Sequence, residues 1–128
     1  MINHAPRLIL ASASPRRRAL LEQIGVPHQV HVANVDERLL PGETPEAGAL
    51  RLAAAKARVV QAALGTALPV LGADTIVVLE GEPLGKPRDR TDALGMLARL
   101  SGRTHRVLSA VALATATGVA QGLSASAV

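Results

Sequence analysis

Ser12-Ala13-Ser14-Pro15-Arg16-Arg17-Arg18 places two hydroxyls and three guanidinium groups within one helical turn of a proline. A helix that starts at Pro15, with Ser14 as its cap, turns free N–H groups toward an incoming anion. Three Arg in a first turn oppose the helix dipole, and a bound phosphate would reverse that cost. Guanidinium groups clamp phosphate oxygens in pairs, and the Ser12 and Ser14 hydroxyls add donors. A solvated, Arg-rich turn is the plainer reading.

Asp74 interrupts the apolar run V-L-G-A-D-T-I-V-V-L. Asp is a poor strand former, and an isolated buried carboxylate costs several kcal/mol (roughly) unless something offsets it. A metal, a water or a cation are the candidates, and a strand-end Asp satisfied by a neighbouring loop is the alternative. Asp36-Glu37 follows a short strand pattern and alone would only be solvated. Lys56 alone reads as a surface residue of an Ala-rich helix. Lys86, between Gly85 and Pro87, sits in a constrained loop. Glu43, Ser101 and His105 read as structural, and His28 and His31 fall on different faces of a strand. Neither G-x-S-x-G nor a P-loop is present. An Arg-lined anion site, two or three carboxylates and two lysines are what hydrolysis of a phosphoanhydride requires.

The elements that must position these groups alternate. Leu8 to Ala11 reads as a buried strand, followed by a helix with Leu20, Leu21 and Ile24 on one face and Gly25 at its end. Val26 to Ala33 alternates as a half-exposed strand, and Asn34 to Thr44 is a polar loop. Thr44-Pro45 opens a long helix over 46–64, and Pro69 to Leu79 reads as a central strand with a turn at Gly81-Glu82. The segment 83–87 reads as a loop, Thr91 caps a helix over 92–100, and 106–115 is a further strand. The segment 116–128 is weakly patterned. An α/β fold follows.

The 128 residues suffice for one core, built without any Phe, Tyr or Trp. No cysteine is present, which excludes disulfides and thiolate metal sites. The net charge of +4 comes from 14 Lys and Arg against 10 acids. The Arg residues are spread along the chain without aromatic company, which argues against nucleic acid as a partner. No apolar run reaches ~18 residues, so no membrane partner is expected and the cytoplasm is the default.

LILASASPRRRALLEQIGV resembles the opening of the Maf proteins. VDE (35–37), RLAAAKA (51–57), LGADTIVVLEGEPLGKPRD (71–89) and MLARLSGRTHRVLSAVAL (96–113) follow in that family's order, over residues 7 to about 115. The resemblance implies a mixed, twisted sheet flanked by helices, of the inosine triphosphate pyrophosphatase kind. It implies one Maf-like domain over 1–128, incomplete at its C-terminus, with the second lobe largely missing. The implied activity is hydrolysis of a nucleoside triphosphate to its monophosphate and pyrophosphate, with divalent Mg²⁺ or Mn²⁺ as cofactor and a homodimer as the usual assembly.

Residue by residue, Asp74 matches the family's proton acceptor, while Glu37, Lys56 and Lys86 match its other catalytic positions. Ser12, Arg16 and Arg17 match the phosphate-binding loop, with Ser14 beside them. Arg16 and Thr75 match positions tied to a preference for dTTP and UTP. Glu37 and Asp74 are the expected metal ligands. His28 stands where the family often has Phe or Tyr, and the family's D-K-A-G-A-Y segment is not matched. A catalytically silent nucleotide-binding or dimerising remnant is therefore the second expectation. An exposed apolar sheet face would accompany either form.

Overall fold

The structure is a computed structural model that describes residues 5–84, 89–102 and 105–127. Among the described residues are three helices and six strands, beginning with β1 (Leu8–Leu10), α1 (Pro15–Gln23), β2 (His28–Val30) and α2 (Pro45–Leu64). β3 (Val70–Leu79), β4 (Glu82–Leu84), α3 (Arg90–Leu100), β5 (Arg106–Thr115) and β6 (Gly118–Ala127) complete the order. The α/β class expected from the sequence holds.

One mixed sheet runs β2-β1-β3-β5-β6. β2, β1 and β3 are parallel, while β5 and β6 continue β3 as an antiparallel meander. On its other edge β3 has two partners in succession. β1 pairs with Val70 and Leu71, and β4 pairs antiparallel with Val77 to Leu79. Among the described residues the stretch between them has no strand partner on that edge, and Asp74 and Thr75 lie in it. In open α/β sheets, the loops beyond the carboxyl ends of parallel strands form the binding crevice. The loops that leave β1 and β2 carry Ser12 and Glu37.

Small side chains make this architecture possible without aromatics. The sheet-facing stripe of α2 is Ala49, Leu52, Ala53, Ala57 and Val60, all buried. It packs on Ile76, Val78, Leu108, Ala110 and Ala112 on one side, and on Ile9, Val70 and Ala114 toward the other end. Leu10, Leu52, Leu79 and Leu108 are among the fully buried side chains, each worth about 1.5–3 kcal/mol. A Cβ placed on Gly72 would run into the Ala53 carbonyl oxygen and lie 2.8 Å from the Ala57 nitrogen. Gly72 therefore sets how closely α2 approaches β3. We expect Gly72→Ala to lower stability by about 1–3 kcal/mol through overpacking. A chemical-denaturation midpoint equal to that of the wild type would contradict this reading.

Local signals placed most boundaries. Ser14 caps α1 by accepting from the Arg17 N–H, Thr44 caps α2 through the Ala47 N–H, and Gly65 closes α2 at φ 57°. Several readings change. The turn after β3 is Glu80-Gly81, both with positive φ, and 82–84 pairs as β4 rather than forming a loop. Asp89, not Thr91, caps α3, with its carboxylate accepting from the Asp92 N–H at 2.8 Å. The alternation over 26–33 yields only three paired residues, His28–Val30. The weakly patterned 116–128 contains the ten-residue edge strand β6, whose small side chains gain their order from pairing with β5. In α1 only Leu21 of the expected apolar face is buried, and Leu20 and Ile24 stay exposed. On the sheet face away from α2, Val111 is likewise exposed.

Candidate functional site

Ser12 and Asp74 are the buried polar side chains among the described residues, and both border the unpaired stretch of β3. β1 leaves the sheet at Ala11, whose N–H donates to the Leu71 carbonyl at 2.8 Å. The chain then turns so that the Ser12 hydroxyl accepts from the Ser14 N–H at 3.1 Å and from Arg17 Nη1 at 3.2 Å. Arg17 Nη2 donates to Thr75 Oγ1 on β3 at 2.8 Å, which ties the start of α1 to the central strand. Burial pushes the Arg17 guanidinium down from its ordinary range, the Asp74 charge pulls it back, and Arg16 lowers it further. No acidic side chain lies in the first turn of α1 to relieve this. An anion there would be stabilised by the helix N-terminus and by Arg17 together.

On the opposite side of β3, Lys56 lies on the α2 stripe that faces the sheet. Its Nζ meets Glu37 Oε1 at 2.7 Å, Asp74 Oδ1 at 3.1 Å and the Ala73 carbonyl at 3.3 Å. An ammonium has three donors, and three acceptors surround this one. The Ala73 carbonyl is available because the β3 edge lacks a strand partner there. Asp74 Oδ2 is buried and has no hydrogen-bond partner among the described residues. His31 and His105 also bury a lone Nδ1, but neither lines the cleft at Asp74.

The neighbouring acid, Asp36, turns the other way. Arg38 binds it through Nε and Nη2, and that side-chain hydrogen bonding is the main reason its carboxyl falls to about 2. This pair is solvent-exposed and contributes little to the fold. The loop bearing both acids is anchored to α2 by Arg51, which grips Glu43 at 2.7 and 3.0 Å and donates to the Arg38 carbonyl at 3.1 Å. Hydrogen bonding to Arg51, then to the Leu40 N–H, holds the Glu43 carboxyl below its ordinary range.

A cleft of about 430 Å³ opens at this point. Glu37, Asp74 and Thr75 form its polar end, and Leu39, Leu52, Ile76, Pro83 and Leu84 its apolar walls. A depression of about 530 Å³ on α3, between Asp89 and Arg99, holds none of these groups.

Ser12, Ser14, Arg17, Thr75, Asp74, Lys56 and Glu37 thus converge on one stretch of β3. Arg16 is exposed and makes no hydrogen bond or ion pair among the described residues. Lys86 lies outside the described residues. Lys56, which alone reads as a surface residue, is largely buried, with 12% of its side chain exposed. Its position four residues after Leu52 and three after Ala53 was the available signal. The roles of Glu43 and Arg51, and of the cleft's aliphatic walls, were not read from the sequence.

Two carboxylates aimed at one cleft, one with a free buried oxygen, suit a hard divalent cation. Mg²⁺ in particular is often held by one or two carboxylates plus substrate phosphates. Among the described residues no group of three His, Cys, Asp or Glu forms a self-sufficient metal cluster. No helix of the described residues is long and apolar enough to cross a membrane.

The fold recurs in solved structures of low sequence identity. The crystal structure of a nucleoside-triphosphatase/dITP/XTP pyrophosphatase from Mycobacterium abscessus superposes with a TM-score of 0.58 at 22% identity. That match covers 94% of this chain and 71% of the other. The Ham1 protein of Staphylococcus aureus superposes with a TM-score of 0.60 at 16% identity, over 94% of this chain and 69% of that one. Over residues 7–128 the sequence matches the Maf-like proteins, and the chain belongs to that family. A dTTP/UTP pyrophosphatase of Anaeromyxobacter sp. (strain Fw109-5) is 58% identical over 105 residues, which is 82% of this chain and 49% of the relative. The dTTP/UTP pyrophosphatase of Symbiobacterium thermophilum is 55% identical over 107 residues, 84% of this chain and 55% of the relative. The chain therefore spans about half the length of the curated relatives it matches.

Proposed function

We propose that this chain carries the hydrolytic centre of a nucleoside triphosphate pyrophosphatase acting on dTTP and UTP, releasing the monophosphate and pyrophosphate. The observation that carries the reading is Asp74. It is a buried carboxylate with one oxygen on Lys56 and the other unpartnered, beside an Arg-lined helix N-terminus on an unpaired strand edge. The identity to relatives named dTTP/UTP pyrophosphatases supports the substrate class.

Ser12, Ser14, Arg16 and Arg17, with the N-terminal N–H groups of α1, would bind the triphosphate. Thr75 fixes the Arg17 fork at the polar end of the cleft. Lys56 holds Glu37 and Asp74 in one place, and with Lys86 it offsets charge that develops on the phosphoryl oxygens. Asp74 Oδ2 accepts the proton of the attacking water, the α–β anhydride bond breaks, and pyrophosphate leaves. Glu37 and Asp74 would hold Mg²⁺ or Mn²⁺, which supplies charge neutralisation and acidifies water. The aliphatic cleft walls hold the base by burial rather than stacking. A homodimer and a cytoplasmic setting complete the proposal.

Pyrophosphate release from dTTP, UTP, CTP and 7-methyl-GTP, each with Mg²⁺ or Mn²⁺ and with EDTA, tests it. We expect release that EDTA abolishes and that is fastest with dTTP or UTP. A preference for 7-methyl-GTP, or hydrolysis to diphosphate and phosphate, would overturn the assignment.

A further inference from the structure

We propose that Glu43 and Arg51 are positioning residues of this reaction, forming a latch that fixes Glu37 against Lys56 and Asp74. The inference rests on the hydrolytic reading above and extends it to residues outside the cleft. Glu37 belongs to a loop with no regular structure between β2 and α2, and such a loop would ordinarily leave its carboxylate poorly placed. Here the loop is bound to α2 at two points, Arg38 and Glu43. The Arg51 fork engages both Glu43 oxygens, and Glu43 Oε1 also accepts the Leu40 N–H at 3.0 Å. Arg51 Nη2 reaches back to the Arg38 carbonyl, one residue beyond Glu37.

Gly48 shows that this docking is built in rather than incidental. A Cβ at that position would collide with Leu39 Cδ2 and stand 3.2 Å from Glu43 Oε1. The loop therefore lies directly on the helix backbone. Lys56 is five residues further along the same helix, so the part that grips the loop and the part that receives Glu37 form one rigid body. Only 11% of the Glu43 side chain is exposed, and a lysine at 51 could not reproduce the two-pronged contact.

The test uses Arg51→Gln and Gly48→Ala in the whole chain, which break the latch by different means. Arg51→Gln changes no residue that lines the cleft, whereas Gly48→Ala also presses on its Leu39 wall. With dTTP and Mg²⁺ we expect kcat to fall about 10- to 100-fold, as misplacement of a group by an ångström or so commonly does, with KM changed by less than about threefold. A second readout needs no activity: the rate at which an amine-acylating reagent modifies Lys56, followed by peptide mass spectrometry. Loss of Glu37 from its ammonium should raise that rate several-fold in both variants while far-ultraviolet dichroism stays native. Unchanged kcat, or unchanged Lys56 reactivity in either folded variant, would overturn the latch. A wild type that releases no pyrophosphate, but whose Lys56 becomes reactive in both variants, would overturn the hydrolytic reading and leave the latch standing.

Discussion

Asp74→Asn will lower kcat for pyrophosphate release by about 10²- to 10⁴-fold, the usual span for loss of a general base, while nucleotide binding changes little. The amide has nearly the carboxylate's shape, so β3 and its pairing with β5 should persist. What disappears is the charge beside Lys56 and the free, buried Oδ2 that can take a proton. In the proposed mechanism binding rests on Ser12, Arg17 and the start of α1, which lie across the strand. Kinetics should therefore separate the two sides of β3. A variant that keeps more than a tenth of wild-type kcat would remove Asp74 from the chemistry. One that loses binding along with turnover would place the carboxylate in ground-state recognition instead.

Replacing Lys56 with Met should have the largest effect on the fold. The ammonium is the shared partner of Glu37, Asp74 and the Ala73 carbonyl. Without it, two carboxylates face each other at the mouth of the core. Removing one member of a buried ion pair costs 3–5 kcal/mol, and partial exposure of Glu37 discounts this to about 2–4 kcal/mol. For a domain of this size the midpoint of thermal unfolding should fall by roughly 10 °C. The double variant Lys56→Met with Asp74→Asn should regain much of the loss, because the more deeply buried uncompensated charge is then gone and only the more exposed Glu37 remains. A single variant as stable as wild type would mean that water or counterions already satisfy the carboxylates.

Much of this site was legible because its chemistry conflicts with its local structure. Asp74 in an apolar strand and three Arg in the first turn of a helix are each locally unfavourable; Asp74 lines the cleft, and of the three Arg, Arg17 reaches it through Thr75. Caps and turns were legible for the same kind of reason. Ser14, Thr44 and Gly25 act through hydrogen bonds or backbone freedom within a few residues. Long-range facts were not legible. Lys56 looked solvated because one lysine in an Ala-rich helix carries no sign of what faces it, although its spacing from Leu52 and Ala53 fitted the buried stripe. β4 and β6 are made of residues with little strand preference, and their partners on β3 and β5 define them. Glu43 and Arg51 lie eight residues apart across a helix start, where sequence spacing says nothing of contact.

The central claim is that the groups along the unpaired edge of β3 hydrolyse a nucleotide at its α–β bond. A single-turnover experiment tests it most directly: the 128-residue chain in excess over dTTP with Mg²⁺, quantifying thymidine monophosphate and pyrophosphate against an EDTA control. The account predicts equal amounts of both products with Mg²⁺ and none with EDTA. Folded protein that leaves dTTP intact, or that yields the same products with metal removed, would contradict it.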